Sequence, residues 1–136
     1  GVQTCALPIY VNQLTLQHNR YPDIFSLGDA SSSPNAKTAA AARKQIVVVA
    51  ENLLALRSGR ALPTTYDGYG SCPLTVEKGK IVLAEFGFGG KLLPTFPLDP
   101  TVPRTSAWVL KKNILPAVYW RLMLKGHEWF ARPQGS

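Results

Sequence analysis

Ile24-Phe25-Ser26-Leu27-Gly28-Asp29, followed by a polar turn over residues 30–35 and then Lys37-Thr38-Ala39-Ala40-Ala41-Ala42, decides the fold class of this chain. The first four residues are a short, mostly apolar run of the kind that sits inside a sheet. Gly28-Asp29 ends it. Pro34 stands near a plausible first helical turn, with Ser33 or Asn35 available as its cap. From residue 37 to residue 57 the pattern is helical: four alanines favour it strongly, Leu53, Leu54 and Leu56 continue it, and Gly59 supplies the stop. The β-branched run Ile46-Val47-Val48-Val49 would suit a strand better, but the turns on either side outweigh it. Strand, turn and helix in this order give an α/β chain.

Working outward, residues 10–23 read as extended structure leading into that strand, because Tyr21-Pro22 biases its surroundings away from helix. Residues 1–9, GVQTCALPI, match nothing that follows and read as a non-native, adapter-derived segment, so they are set aside and Cys5 is incidental. The natural protein is then expected to continue upstream. Beyond the Pro63 linker, residues 66–74 (YDGYGSCPL) form a Gly-rich loop carrying Cys72, and residues 80–86 (KIVLAEF) have the character of a strand. A hairpin over residues 76–88 turns at Lys78-Gly79. Residues 92–103 hold four prolines and should be irregular.

The tail is different in kind. Trp108, Tyr119, Trp120, Trp129 and Phe130 interleave with Lys111, Lys112, Arg121, Lys125 and Arg132, and Pro116 should divide the segment into two short helices. Residues 104–132 hold six basic side chains and one acid, Glu128, so most of the net charge of +7 lies here. Such an asymmetry asks for an anionic neighbour.

Length and composition limit the function classes. At 136 residues and 46% apolar content the chain can fill one core. Two cysteines make no disulfide framework, and with His18 and His127 far from both there is no metal-ligand spacing. The longest apolar run, residues 114–120, is far short of the ~20 residues a transmembrane helix requires.

A strand, Gly-Asp, a turn and a helix amino end suit a flavin. The carboxylate can accept from a ribityl hydroxyl, glycine lets the cofactor chain pass, and the helix end offers free amides and a positive dipole. The competing reading of Gly28-Asp29 is a turn whose Asp merely caps the helix. For Cys72, a Gly-flanked loop allows the exposure a reactive thiolate needs; a buried structural cysteine is the alternative.

RYPDIFSLGD (residues 20–29), KTAAAARKQ (residues 37–45), YDGYGSCPL (residues 66–74) and VLAEF (residues 82–86) together resemble the C-terminal part of sulfide:quinone oxidoreductase, over residues 11–126. The resemblance implies the fold: the C-terminal part of a two-dinucleotide-binding-domain FAD flavoprotein of the pyridine nucleotide-disulfide oxidoreductase family, hence an incomplete domain. Residues 10–62 would end the FAD-binding domain, residues 63–103 would hold the redox-cysteine loop and hairpin, and residues 104–136 would form an amphipathic membrane-binding tail.

The resemblance also implies roles. Gly28 and Asp29 hold the ribityl chain of FAD, Lys37, Thr38 and Ala39 lie by the pyrimidine side of its ring and the quinone entrance, and Cys72 is the downstream member of a redox cysteine pair. The reaction implied is a two-electron oxidation of sulfide to sulfane sulfur, with electrons passing by way of FAD to quinone. The partner thiol is expected upstream. So is the Gly-rich nucleotide motif, since Gly87, Gly89 and Gly90 have the wrong spacing for it. These 136 residues alone should therefore be inactive. Gly87 stands where an acidic residue is common in the family, which touches local loop geometry only.

Phe86, Phe96 and Trp108 could line an apolar quinone slot or simply pack in the core. Trp108, Lys111, Lys112, Tyr119, Trp120, Arg121 and Lys125 suit a peripheral membrane surface, where aromatic rings prefer the interface and cations reach phosphate. A bacterial inner membrane is the expected location, with its side open. Nucleic acid is not expected as a partner, because no binding motif accompanies the basic residues. Two other readings compete: a type II NADH:quinone dehydrogenase-like flavoprotein, which needs no thiol at Cys72, and a non-catalytic basic membrane-surface module.

Overall fold

The computed structural model describes residues 7–34, 37–93, 99 and 101–127. Phe96, a candidate quinone contact, lies outside them, as do Cys5, Trp129, Phe130 and Arg132.

The central element is the helix α1 (Ala39–Arg57). Thr38, not Ser33, caps it: its backbone is extended, and its hydroxyl accepts from the Ala41 amide at 3.2 Å; Asn35, the other cap candidate, lies outside the described residues. At the other end Ser58 is the cap and Gly59, at φ +66°, takes the left-handed position. The Arg60 amide reaches the Ala55 carbonyl at 2.9 Å and the Gly59 amide reaches that of Leu56 at 3.0 Å, which closes a Schellman motif.

Helical spacing gives α1 one inward face of Ala41, Lys44, Gln45, Val48, Asn52 and Ala55, all buried. It is unusually polar. Ile46, Ala50, Leu53 and Leu54 form an outward row, with Ile46 57% and Leu54 58% exposed. The β-branched run does not break the helix because Val47 and Val48 are buried as packing residues.

The inner face of α1 meets the N-terminal segment. Val11, Leu16, Ala41, Val48 and Tyr66 form the core cluster, with Val49 and Phe88 against it. Asn52, fully buried, secures this contact: its amide nitrogen donates to the carbonyls of Thr15 (3.1 Å) and Thr64 (2.8 Å), and its oxygen accepts from the Thr64 amide (3.1 Å). Every group is satisfied, as burial demands.

Residues 24–27 do not form a regular strand. They are joined to residues 16–18 by one isolated bridge, Gln17 to Phe25, with Ser26 N–H on the Leu16 carbonyl and His18 N–H on the Ile24 carbonyl. Upstream, residues 12–17 make a tight turn stabilised by the Asn12 side chain, with Leu16 in the left-handed region at φ 60°. Ile9, which the sequence places outside the fold, instead forms a parallel bridge with Ser31.

The hairpin consists of β1 (Gly70–Glu77) and β2 (Lys80–Phe86), antiparallel, with Cys72 opposite Ala84 and Ser71 opposite Glu85. Lys78-Gly79 is its turn, as expected, with Gly79 at φ +83°. The first strand begins earlier than the sequence suggests, so Cys72 lies on a strand and not in a loop. Arg104 joins the far edge of β2 through a single antiparallel bridge to Ile81.

The tail is one bent helix rather than two. The helix α2 (Thr105–Val109) runs into a π-turn, Leu110–Ile114, and on into α3 (Leu115–Arg121). Pro116 has no amide to give the carbonyl four residues back, and the chain widens just before it: the Leu115 amide bonds to the Leu110 carbonyl, five residues back. No helix among the described residues is long and apolar enough to cross a membrane.

Candidate functional site: the Gly28-Asp29 turn and the Cys72 strand

Gly28 opens a 3-10 turn, Gly28–Ala30, that lies against the amino end of α1. At φ +60° it adopts a conformation that disfavours other residues, and a Cβ there would come within 3.9 Å of Ala42. Lys37 closes over this turn, its ammonium donating to the Gly28 carbonyl at 3.3 Å and to the Ser31 carbonyl. Asp29 is exposed, while Thr38 is engaged as the helix cap. The first amides of α1 have no intrahelical acceptor. Asp29, Lys37, Thr38 and Ala39 are thus brought together at one helix end.

This donor set fits a flavin. An exposed carboxylate suits a polyol hydroxyl; a lysine and free helix amides suit an electron-rich carbonyl edge or a phosphate.

Cys72 is a free, half-buried thiol. Strand alternation puts it on the side of the hairpin opposite the buried Ser71, Ile81 and Glu85, together with the half-exposed Leu74 and, across the pair, Val82 and Ala84. The thiol therefore faces away from the packed side of the sheet, on the face that also carries Phe86.

Between the turn and the thiol strand lies a polar network that the sequence reading missed. Gln45 accepts from the Gly28 amide at 2.8 Å. Tyr66, 1% exposed, donates to the Tyr69 carbonyl. Tyr69 donates from its own phenol to Glu85 at 2.5 Å, takes the Lys44 ammonium over its ring at 4.3 Å, and gives its amide to Asp67 at 3.0 Å. Lys44 closes the circuit with a 2.8 Å ion pair to Asp67. Burial pushes the Tyr66 phenol up to about 12; the Gln45 side chain opposes that shift and the Asp67 charge adds to it. Tyr69 is raised further, by burial first and then by the hydrogen bond and charge of Glu85. One signal could have disclosed this cluster: Lys44, Gln45 and Asn52 fall on the helical stripe that holds Ala41 and Val48, where apolar residues are the rule.

Asp67-Gly68 makes the bend that admits it. Gly68 is buried at φ +79°, and a Cβ would lie 2.5 Å from Phe88, whose ring meets Tyr66 edge-on at 5.8 Å. Phe86 is half-buried at the end of β2. Trp108, with Thr75, Lys111 and Lys112, lines an open cleft of about 410 Å³ between the tail and β1. The structure does not bring Trp108 and Phe86 into one described slot.

In the tail, Lys112, Tyr119, Trp120, Arg121 and Lys125 are exposed. Lys111 is turned inward: its ammonium donates to the Pro73 carbonyl at 3.1 Å and to the Thr75 hydroxyl at 2.9 Å.

Curated proteins of similar sequence are sulfide:quinone oxidoreductases. The chain is 42% identical over 124 residues to the mitochondrial sulfide:quinone oxidoreductase of Dictyostelium discoideum, 36% over 117 residues to that of Mus musculus and 38% over 127 residues to that of Schizosaccharomyces pombe. Its similarity is to sulfide:quinone oxidoreductases. The matches cover 86–91% of the chain and 26–28% of the relatives, so the chain spans about a quarter of the sulfide:quinone oxidoreductases it matches. No protein-family profile matches. A chain in the cryo-EM structure of the Tetrahymena thermophila mitochondrial ATP synthase superposes with a TM-score of 0.71 at 29% identity, covering 81% of this chain and 27% of that one. The small α/β unit, with its two-stranded antiparallel sheet, is consistent with part of a larger flavoprotein domain.

Proposed function

We propose that these residues form part of a sulfide:quinone oxidoreductase, which oxidises sulfide to sulfane sulfur with FAD as cofactor and quinone as electron acceptor. The similarity to curated sulfide:quinone oxidoreductases across about nine-tenths of the chain carries this reading. The juxtaposition of Gly28, Asp29, Lys37, Thr38 and Ala39 at one helix end supports it.

Asp29 would accept from a ribityl hydroxyl of bound FAD, Gly28 would leave room for its chain, and Lys37, Thr38 and Ala39 would hold the pyrimidine side of its ring. Bound FAD supplies a two-electron acceptor for thiol chemistry. Cys72 is one of two cysteines, the other lying upstream in a longer parent. Hydrosulfide attacks their disulfide; a new sulfur–sulfur bond forms on one cysteine as the old one breaks, and the other leaves as thiolate. The sulfane sulfur then passes to a nucleophilic acceptor. One cysteine of the pair does not complete this cycle, so the 136 residues alone should not turn over.

Phe86, Phe96 and Trp108 are the candidate quinone contacts. Lys112, Tyr119, Trp120, Arg121 and Lys125 give the tail an exposed, basic, aromatic face for a peripheral membrane surface, where a lipid-soluble quinone is reached. The relatives' names place them in mitochondria.

Replacing Cys72 by Ser in the longer parent tests the reading. Loss of sulfide-dependent quinone reduction with flavin retained is expected. Retained activity would remove the thiol from the mechanism, whereas quinone reduction by the unaltered parent with NADH and not with sulfide as donor would favour the NADH:quinone dehydrogenase alternative.

A further inference from the structure

Tyr69 is the last residue before β1 and stands three positions ahead of Cys72. Each part of it is held by a different group. Its amide donates to Asp67 Oδ1 at 3.0 Å, and its carbonyl accepts from the buried Tyr66 phenol. Its ring lies under the Lys44 ammonium, 4.3 Å from the centroid, and its phenol donates to Glu85 Oε1 at 2.5 Å. Lys44 belongs to α1 and Glu85 to β2, so one residue meets the helix, the bend and the second strand together. Lys44 also pairs with Asp67 Oδ2 at 2.8 Å, which divides one carboxylate between the helix and the Tyr69 amide. Across the hairpin Glu85 stands opposite Ser71, and the next pair along is Cys72 with Ala84. Lys44 is 7% exposed and Glu85 4%, so water does not replace these contacts without local opening.

We propose that Tyr69 is a positioning residue that sets where β1, and with it Cys72, sits against α1. Its ring and its phenol oxygen do different work. The ring face meets the cation of α1, and the oxygen fixes the hairpin through Glu85. Phenylalanine would keep the first contact and lose the second, whereas leucine would lose both. The brace lies at the end of the hairpin that holds Cys72; the exposed Lys80–Glu77 ion pair lies at the other, beside the turn. That the braced thiol is a redox thiol rests on the proposed function; the brace itself does not.

The experiment uses this chain without flavin and reads iodoacetamide alkylation of Cys72, followed on its own peptide so that Cys5 does not contribute, beside hydrogen exchange along α1, β1 and β2. Reactivity of a half-buried thiol reports local opening of its strand. Tyr69→Phe should raise alkylation, and exchange over residues 70–73 and 84–86, by about fivefold, the equivalent of one lost hydrogen bond. Exchange at Val48 and Asn52 in α1 should stay near wild type. Tyr69→Leu should raise alkylation further. Lys44→Met should also raise it, and Lys44→Arg, which keeps a cation for the ring, should bring it back towards wild type. Lys80→Met is the control and should change nothing at Cys72. In the longer parent, Tyr69→Phe should lower kcat with sulfide while flavin content and the KM for quinone hold.

Unchanged alkylation in Tyr69→Phe and Tyr69→Leu would overturn the proposal. So would a rise matched by equal exchange at Val48 and Asn52, which would make Tyr69 a general stabilising residue only. Failure of the flavin-enzyme reading would look different: the unaltered parent would show no sulfide-dependent quinone reduction, whatever Tyr69 does to alkylation.

Discussion

Lys111 and Pro73 are joined across the tail and the hairpin, with the lysine ammonium 3.1 Å from the proline carbonyl. Proline at an outer strand position sacrifices no ladder hydrogen bond, and its carbonyl there points outward, where it can be met by a side chain from another element. The Thr75 hydroxyl takes the same ammonium at 2.9 Å. Lys111 thus fastens the tail to the strand that carries Cys72.

Lys111 and Lys112 should accordingly separate in experiment. Lys111→Met is expected to lower folding stability by about 1–2 kcal/mol, towards the low end for hydrogen bonds to a charged group because Lys111 is only partly buried, with little change in vesicle binding. Lys112→Met and Lys125→Met should do the reverse, each weakening attachment to anionic vesicles by about 1 kcal/mol, or roughly fivefold. Urea titration and vesicle co-sedimentation at one fixed ionic strength would decide. Equal behaviour of the two lysines would contradict the contact.

Gly68→Ala should destabilise the chain by roughly 2–4 kcal/mol, because it combines a left-handed backbone with overpacking. The new methyl would have to share space with Phe88, only 2.5 Å away. Gly59→Ala is the control: its φ is similarly positive, yet nothing lies within 4 Å, so only the backbone term of about 1 kcal/mol remains. Comparable losses at both positions would show that close packing at Phe88 is unimportant.

Asn52→Ala strands three buried backbone groups at once, the carbonyls of Thr15 and Thr64 and the Thr64 amide. A loss of about 2–4 kcal/mol is expected, read as a shift in the urea midpoint. Asn52→Leu should be no better, since volume does not replace the missing partners.

Alkaline pH should unfold the chain through its buried phenols. Tyr66 is raised from 10.0 to about 12, so the folded state holds its proton after the unfolded state has released it. Its contribution is fully present below pH 10 and disappears as pH rises towards 12. Thermal unfolding followed from pH 9 to pH 12 should show a fall that Tyr66→Phe makes shallower. An identical slope in the variant would place the sensitivity elsewhere.

Much of the framework was legible because it depends on local signals. The α1 helix, its glycine stop and the Lys78-Gly79 hairpin turn follow from alanine content, Schellman geometry and turn chemistry, which act within a few residues. The cap at Thr38, the early start of β1 at Gly70 and the single-bridge pairing of residues 24–27 do not. Each depends on what the segment packs against, and tertiary contact overrides propensity there. Pro116 was read as a divider, yet a π-turn absorbed its missing amide. At the site, Gly28-Asp29 and a following helix end could be grouped from the order of strand, turn and helix, while Lys37, Thr38 and Ala39 came only with the family resemblance. Lys44, Gln45, Tyr69 and Glu85 could not be grouped, because they meet partners 16 to 23 positions away in the sequence.

The outward row of α1 has a practical outcome for anyone handling the chain. With Ile46 and Leu54 more than half exposed and Leu53 at 38%, the helix presents grease to solvent on the side away from its own core. Contiguous surfaces of that kind promote self-association. Concentrated preparations should therefore bind reporter dyes such as ANS and cloud on standing, and charged replacements at Ile46 and Leu54 should keep them clear without disturbing the Gly28 turn on the opposite side.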